Sequence, residues 1–306
     1  MAHYDALGEL APHARRQVEA LAEVSDRLLV VSTADLRDPA DVAFLTSHGE
    51  LVQRANEGYD FFSYKVGLDA VPDAADYDLV VVCNDSYVGP LRPYRRIVEE
   101  MRERPVDFWG LTTTRRRGEH VQSYFVAFRP WVVRSAAFTG FWSAMTPISD
   151  RREVITRYEL GLSATLRAAG FRAGGYFEET GADRRLARAR MAWWAWHAAS
   201  ARPDMPRLAT WRRMRREPWN PVAALADRAL DGGRLPLAKI DTFRYDPFRL
   251  GSDALLRACE RAFPEAFDGV RDHLERTAAL YPPRPKESDG PTVPPWPVRA
   301  TIGYPR

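Results

Sequence analysis

At 306 residues, with 45% hydrophobic and 28% charged residues, the chain has the makeup of a soluble globular protein with one large domain or two smaller ones. No apolar run approaches the ~20 residues of a membrane span, and the start, MAHYDALGEL, lacks the basic flank and apolar core of a secretory signal. The net charge of +3 argues against a nucleic-acid partner, and two well-separated cysteines, Cys83 and Cys259, read as reduced thiols of a cytoplasmic protein.

Residues 14–24 place Val18, Leu21 and Ala22 at helical spacing, and 26–33 form a short apolar run ending in small polar residues, a strand. A second short apolar run leads into the polar, Gly-punctuated stretch RANEGYD, 54–60, after which an acidic cap at Asp60 predicts a helix over 60–71. Residues 78–84 are the next strand and 90–104 the next helix. Two further strands follow at 107–114 and 121–130, then a long amphipathic helix over 150–170, capped by Asp150 and closed by Gly170. Residues 171–179 read as a closing strand. The alternation predicts an α/β fold with a mostly parallel sheet and flanking helices. Its catalytic domain spans 1–180, a helical subdomain 181–281, and a Pro-rich tail without periodicity 282–306, expected to be extended or disordered. Only three basic residues are lysines, Lys65, Lys239 and Lys286; the arginine excess reads mainly as coding bias.

Ligands of such sheets bind beyond the carboxyl ends of the strands. The apolar run 79–83 ends there in Asn84, Asp85 and Ser86. A carboxylate flanked by oxygen donors suits a hard divalent cation bridging phosphates; the ordinary alternative is a cap for the helix after Pro90. In RANEGYD, Arg54 is suited to pairing a phosphate and Gly58 to a close backbone approach, against an ordinary loop. His120 and Ser123 stand at a strand start, where a lone histidine is usually structural. Glu159, among Leu160, Leu162 and Leu166, is suited to general-base work, against the commoner fate of an exposed helix glutamate; Asp150 and Glu178 are the next candidates.

In order, AHYDALGEL, VSTADL, RANEGYDFFSYKVGL, YDLVVVCNDSYVGPL, DFWGLT, HVQSYFVAF, YELGLSATLRAAGF and NPVAALADRAL…LPLAKI resemble the rhamnan synthesis protein F family, over residues 2–240. Those proteins are similar to glycosyltransferases with the Rossmann-like GT-A fold. The resemblance implies a nucleotide-sugar-dependent transferase, rhamnosyltransferase-like, building cell-surface polysaccharide from dTDP-L-rhamnose onto a glycan or lipid-linked glycan. It places Asn84-Asp85-Ser86 at the Asp-x-Asp-like motif, with Asp85 on Mg²⁺ or Mn²⁺ and a single carboxylate where that motif has two. It also places His3, Asp5, Arg54, Asn56, Gly58, Asp60, Asn84, Ser86, His120, Gln122 and Ser123 around the substrates, with Glu159 as the base. Only Met1 and Ala2 stand where the family has a complete first strand before His3-Tyr4-Asp5, which implies a start codon assigned too late or an incomplete pocket edge.

Two rival readings come from the residues. A haloacid-dehalogenase-like phosphatase needs a second Asp two positions after Asp85, where Tyr87 stands. A docking module would use the Arg/Trp-rich segment 184–219 for peripheral membrane or anionic-glycan contact; the blander reading packs its tryptophans on the catalytic domain.

Overall fold

The computed structural model describes residues 1–200, 208–209, 212, 216, 218–281 and 296–305. Strands and helices alternate first: β1 (Ala2–His3), α1 (Pro12–Ala22), β2 (Leu29–Ser32), α2 (Pro39–His48), β3 (Glu50–Gln53), α3 (Tyr59–Asp69), β4 (Val80–Cys83). Then come β5 (Tyr87–Val88), α4 (Tyr94–Arg102), β6 (Phe108–Gly110), β7 (Thr113–Thr114), β8 (His120–Val121), β9 (Phe125–Phe128), α5 (Pro130–Val133) and α6 (Ala136–Ser143). A helix of three parts follows: α7 (Arg151–Val154), a π-helical turn (Ile155–Leu160) and α8 (Gly161–Ala168). After β10 (Ala173–Gly175) the chain is mainly helical: α9 (Gly181–Ser200), α10 (Pro221–Ala224), β11 (Ala238–Lys239), α11 (Ile240–Tyr245), α12 (Ser252–Ala262), α13 (Pro264–Phe267), α14 (Val270–Arg276) and α15 (Trp296–Ile302).

β1, β2 and β3 are parallel, with Ala2 opposite Val31 and Leu29 opposite Glu50. β4 pairs antiparallel with β9, β9 antiparallel with β6, and β6 parallel with β10. A parallel bridge between Ala2 and Asn84 joins the two groups, giving the order β3-β2-β1-β4-β9-β6-β10 with β9 alone reversed. The expected mixed α/β architecture with a largely parallel sheet is present.

Alternation of side chains along the strands feeds the two larger of three hydrophobic clusters, the third packing Val30 against α1 and α2 through Val18 and Leu45. Cys83, Trp109, Phe125 and Ala127 face α4 and the C-terminal helices, where Leu225, Leu235 and Leu255 complete the cluster. Val82, Phe108, Val126 and Phe128 face α3, α6 and α8 through Phe61, Trp142 and Leu166. Residues on both sides of Gly181 thus share one core.

The elements differ from the sequence reading in several places. The Asp38-Pro39 start of α2, where the Asp38 side chain accepts from Ala40 N at 2.8 Å, went unread. The expected strands 107–114 and 121–130 each split in two, because β7 and β8 leave the main sheet as a separate hairpin. The helix at 150–170 begins at Asp150 as expected but widens into the π-turn. The Pro-rich end is not simply extended. Arg190, 1% exposed, donates to Ile302 O (2.7 Å), Gly303 O (3.1 Å) and the Asp227 carboxylate (2.7 and 3.0 Å), and Tyr304 is buried under its guanidinium. In the Arg/Trp segment, Trp194 packs edge-on to Phe248 and Trp219 Nε1 donates to Glu179 Oε1 at 2.7 Å, while Trp196 is exposed; Trp211 lies outside the described residues. No helix among the described residues is long and apolar enough to cross a membrane.

Candidate active site

β1 and β4 are neighbours where the order of the parallel strands turns back on itself, so their carboxyl ends frame the crevice in which such sheets bind ligands. His3, Tyr4 and Asp5 leave one strand; Asn84, Asp85 and Ser86 leave the other. The two turns are stitched together. Tyr4 N donates to Asp85 Oδ2 at 2.9 Å, His13 Nε2 donates to Asp85 O at 2.9 Å, and Gln17 Nε2 donates to Asn84 O at 2.9 Å. His3 is buried, its Nδ1 on Ser32 Oγ at 2.9 Å and its Nε2 3.9 Å from Asp85 Oδ2. Asp5, also buried, accepts from Leu7 N (2.8 Å) and faces His273 Nε2 at 3.2 Å.

Asn84 links this centre to the 54–60 loop: its Nδ2 donates to Asp60 Oδ2 at 2.5 Å, while its Oδ1 accepts from Ser86 N at 3.1 Å and from Ser86 Oγ. Asp60 does not cap α3. It sits in the first turn behind Gly58, whose φ of +70° and whose contacts leave no room for a Cβ: one would stand 2.7 Å from Phe62 Cβ and 2.9 Å from Pro147 Cα. Gly58 therefore serves a close approach within the chain. Asn56 is exposed on the same loop.

Arg54 organises that loop. Its guanidinium donates to Ala55 O and Glu57 O (2.8 Å each), Tyr59 O (3.2 Å) and Ser63 Oγ (2.8 and 3.2 Å). We expect Arg54→Met to lower stability by about 2–3 kcal/mol, since several charge-assisted bonds are lost. Thermal melting checks this; an unchanged melting temperature with weaker donor binding would instead put the guanidinium on the donor.

Glu159 lies in the π-turn, a feature frequent at functional sites. Its Oε1 accepts from Ser123 Oγ at 3.0 Å and Ser123 N at 3.2 Å. Neighbouring bonds fix that register: Ser163 Oγ accepts from Val121 N at 3.1 Å, Tyr158 OH donates to Thr146 O at 2.7 Å, and Tyr64 OH donates to Ser123 O at 3.0 Å. His120 and Gln122 are buried and serve the hairpin, His120 Nδ1 donating to Gly118 O (2.8 Å) and Gln122 Oε1 accepting from Thr112 Oγ1 (2.7 Å).

Sequence reasoning missed His13, Gln17, His273 and above all Lys239. β11 pairs with β5, placing Lys239 opposite Tyr87. Lys239 Nζ donates to Ser86 Oγ and lies 4.4 Å from the centre of the Tyr124 ring. Its rarity in an arginine-dominated chain and its place in the LPLAKI segment were the available signals. Tyr87 itself is fully buried against Tyr94, so no acid stands at the second position a dehalogenase-type phosphatase uses.

Acids crowd this centre. Burial pushes the Asp85 carboxyl up to about 7, with Asp60 and Asp5 adding to the effect and the Tyr4 N–H opposing it. Burial also raises Asp60, against the Asn84 bond and Lys239, with Glu159 adding to the rise. Asp5 goes the other way: burial opposes its ionisation, but His273 and the Leu7 N–H hold it below the usual range. Burial draws Lys239 down from its ordinary value, and holds His3 near 4 and His13 near 3, so both imidazoles are neutral at pH 7.

Among the described residues no three His, Cys, Asp or Glu side chains converge as a ready metal cage. The donor set fits a different kind of site. Asp85, the one carboxylate of the 84–86 turn, keeps 16% of its side chain exposed and has its carboxyl raised, and a carboxylate of that kind suits a hard cation whose other ligands are waters and phosphate oxygens.

The family model described as rhamnan synthesis protein F matches residues 28–199. The chain is also 29% identical over 126 residues to the "Uncharacterized protein y4gN" of Sinorhizobium fredii, covering 40% of this chain and 33% of that one. To the "Virulence protein VirA" of Vibrio anguillarum it is 31% identical over 126 residues, 40% of each. The matched part thus spans well under half the length of these curated relatives. The family match takes in more than half of the chain, including the turn after β4, the 54–60 loop and the Glu159 π-turn, and so the chain belongs to the rhamnan synthesis protein F family.

Proposed function

We propose that the protein is an inverting glycosyltransferase of the GT-A type that moves a sugar from a nucleoside diphosphate to a glycan or lipid-linked glycan in polysaccharide synthesis. The observation that carries this is the meeting of Asp60, Asn84, Asp85, Ser86 and Lys239 where the parallel strands turn back, with Glu159 held by Ser123 in the same electrostatic neighbourhood. The family's description, rhamnan synthesis, favours L-rhamnose as the sugar, and the proposal takes dTDP-L-rhamnose as its donor.

Asp85 would hold Mg²⁺ or Mn²⁺ against the donor, where the ion would supply positive charge to the departing diphosphate. Glu159 takes the proton of an acceptor hydroxyl through the oxygen that Ser123 leaves unbonded. The acceptor oxygen attacks the anomeric carbon from the face opposite the diphosphate, the bond to the diphosphate breaks, and its electron pair leaves with the nucleotide. One displacement gives one inversion. Asn84 and Ser86 keep the Asp85 turn in register with Asp60, so the site is assembled before substrate arrives.

The test is release of dTDP from dTDP-L-rhamnose, and of UDP or GDP from other nucleotide sugars, with and without a rhamnan acceptor and divalent cation. Acceptor-dependent release supports transfer. Phosphate release without acceptor would favour the phosphatase reading, and no release with any donor would overturn both.

A further inference from the structure

The steps assigned so far fall to Asp85, its turn and Glu159, all within the first 160 residues. The segment 237–245 brings two cations toward the same crevice from the far end of the chain. Lys239 reaches it through Ser86. Arg244, on the last turn of α11, approaches the opposite flank, where its guanidinium lies 3.9 Å from the centre of the Tyr281 ring and its Nη2 donates to Thr277 Oγ1 at 3.1 Å. Thr277 Oγ1 in turn donates to His273 O at 2.7 Å, and His273 faces Asp5. Tyr281 feels both sides: its phenol is raised to about 12, chiefly by burial, with Asp5, Tyr4 and Asp85 adding to the rise and Arg244 opposing it.

Arg244 is poorly satisfied. Its Nε and Nη1 are buried and have no hydrogen-bond partner among the described residues. A guanidinium is always charged and presents its N–H groups as a planar fork that matches phosphate. Leaving two such donors buried and idle is costly, and an anion bearing several oxygens removes that cost. Arg190, the fully buried arginine, spends its donors on Asp227 and three carbonyls; Arg167 and Arg228 each leave one buried Nε without a hydrogen bond, but among the described residues only Arg244 leaves two such donors.

We infer that Lys239 and Arg244 form a two-sided clamp on the diphosphate of the nucleotide donor, Lys239 from the Ser86 flank and Arg244 from the Tyr281 flank. This rests on the transferase reading and deepens it by assigning the phosphate contacts to the C-terminal segment. The clamp also explains why that segment forms a separate two-stranded pairing beside the Asp85 turn. β11 pairs with β5, the strand that follows Asp85 directly, so the carboxylate and the two cations are positioned by one short piece of backbone pairing.

Calorimetric titration of the full chain with dTDP, UDP, thymidine and inorganic pyrophosphate, each with Mg²⁺, tests this. The wild type is expected to bind dTDP at least tenfold more tightly than thymidine. Lys239→Met and Arg244→Met are each expected to lose about tenfold to hundredfold in dTDP and pyrophosphate affinity, the worth of a charge-assisted contact, with thymidine binding unchanged. Lys239→Arg and Arg244→Lys, which keep the charge and protect against loss of fold, should recover part of it. Variants that bind dTDP as the wild type does would overturn the clamp alone. Equal losses for thymidine and dTDP would make both residues structural and overturn it too. A wild type that binds neither nucleoside diphosphate nor pyrophosphate would overturn both the clamp and the transferase reading.

Discussion

Glu159→Gln is expected to bind donor nearly as the wild type does and to transfer ~10²–10⁴-fold more slowly, the usual worth of a general base. The geometry makes this a clean substitution. Ser123 N and Oγ both donate to Oε1, and a glutamine carbonyl accepts those two bonds in the same place. Its amide NH₂ then occupies the position of Oε2, which takes no hydrogen bond among the described residues and is where the acceptor's proton would go. Size, reach and anchoring survive; only the capacity to take a proton is lost. Loss confined to turnover, with donor affinity intact, is the signature of an interaction made in the transition state. Near-normal turnover would make Glu159 a structural residue of the π-turn. The alternatives are occupied: Asp150 caps its helix through Glu153 N at 2.8 Å, and Glu178 pairs with Arg104 at 2.7 Å. Asp60 would then be the carboxylate to examine.

What could be read from the chain alone follows the range of the interactions involved. The strand ending at Asn84-Asp85-Ser86 was legible because an apolar run that stops abruptly in polar residues is a local pattern, and the α/β alternation fixes which end of the sheet it occupies. The Asp150 cap and the terminal Gly170 were legible for the same reason. The π-turn between them was not, since one widened turn leaves the apolar spacing of Val154, Tyr158, Leu162 and Leu166 unchanged and is set by contacts with Ser123, Val121 and Thr146. Arg54 and Gly58 were singled out for ligand roles, yet the structure gives both intramolecular work, which no residue count around the loop reveals. Lys239, Arg244 and His273 lie more than 150 residues from Asp85 in sequence. Their place at the crevice depends on the β5–β11 pairing and on the His273–Asp5 contact, both of which need the assembled fold.

Asp85→Asn is expected to abolish cation-dependent donor binding and transfer while making the ligand-free protein more stable at pH 8. The carboxyl's folded pKa, about 7, lies above its unfolded value, near 4, because burial disfavours the charged form and Asp60 and Asp5 repel it. Such a group binds its proton more tightly when folded. Its contribution to stability is therefore fully present below pH 4 and is lost as pH rises through about 7. At pH 8 the wild type carries a half-buried charge with too little compensation. Each pKa unit corresponds to about 1.4 kcal/mol, and with partial relaxation around the carboxylate a gain of about 1–2 kcal/mol is a reasonable expectation. Asparagine is neutral at every pH, matches the carboxylate in shape, and keeps an oxygen to accept from Tyr4 N. In chelator the variant should melt above the wild type at pH 8, with the gap closing toward pH 5. Mg²⁺ with dTDP should reverse the order, since a ligand that binds only the folded wild type raises its melting temperature and leaves the variant unmoved. A variant that melts no higher than the wild type at pH 8 and still gains stability from Mg²⁺ and dTDP would show that Asp85 carries neither the stored charge nor the cation.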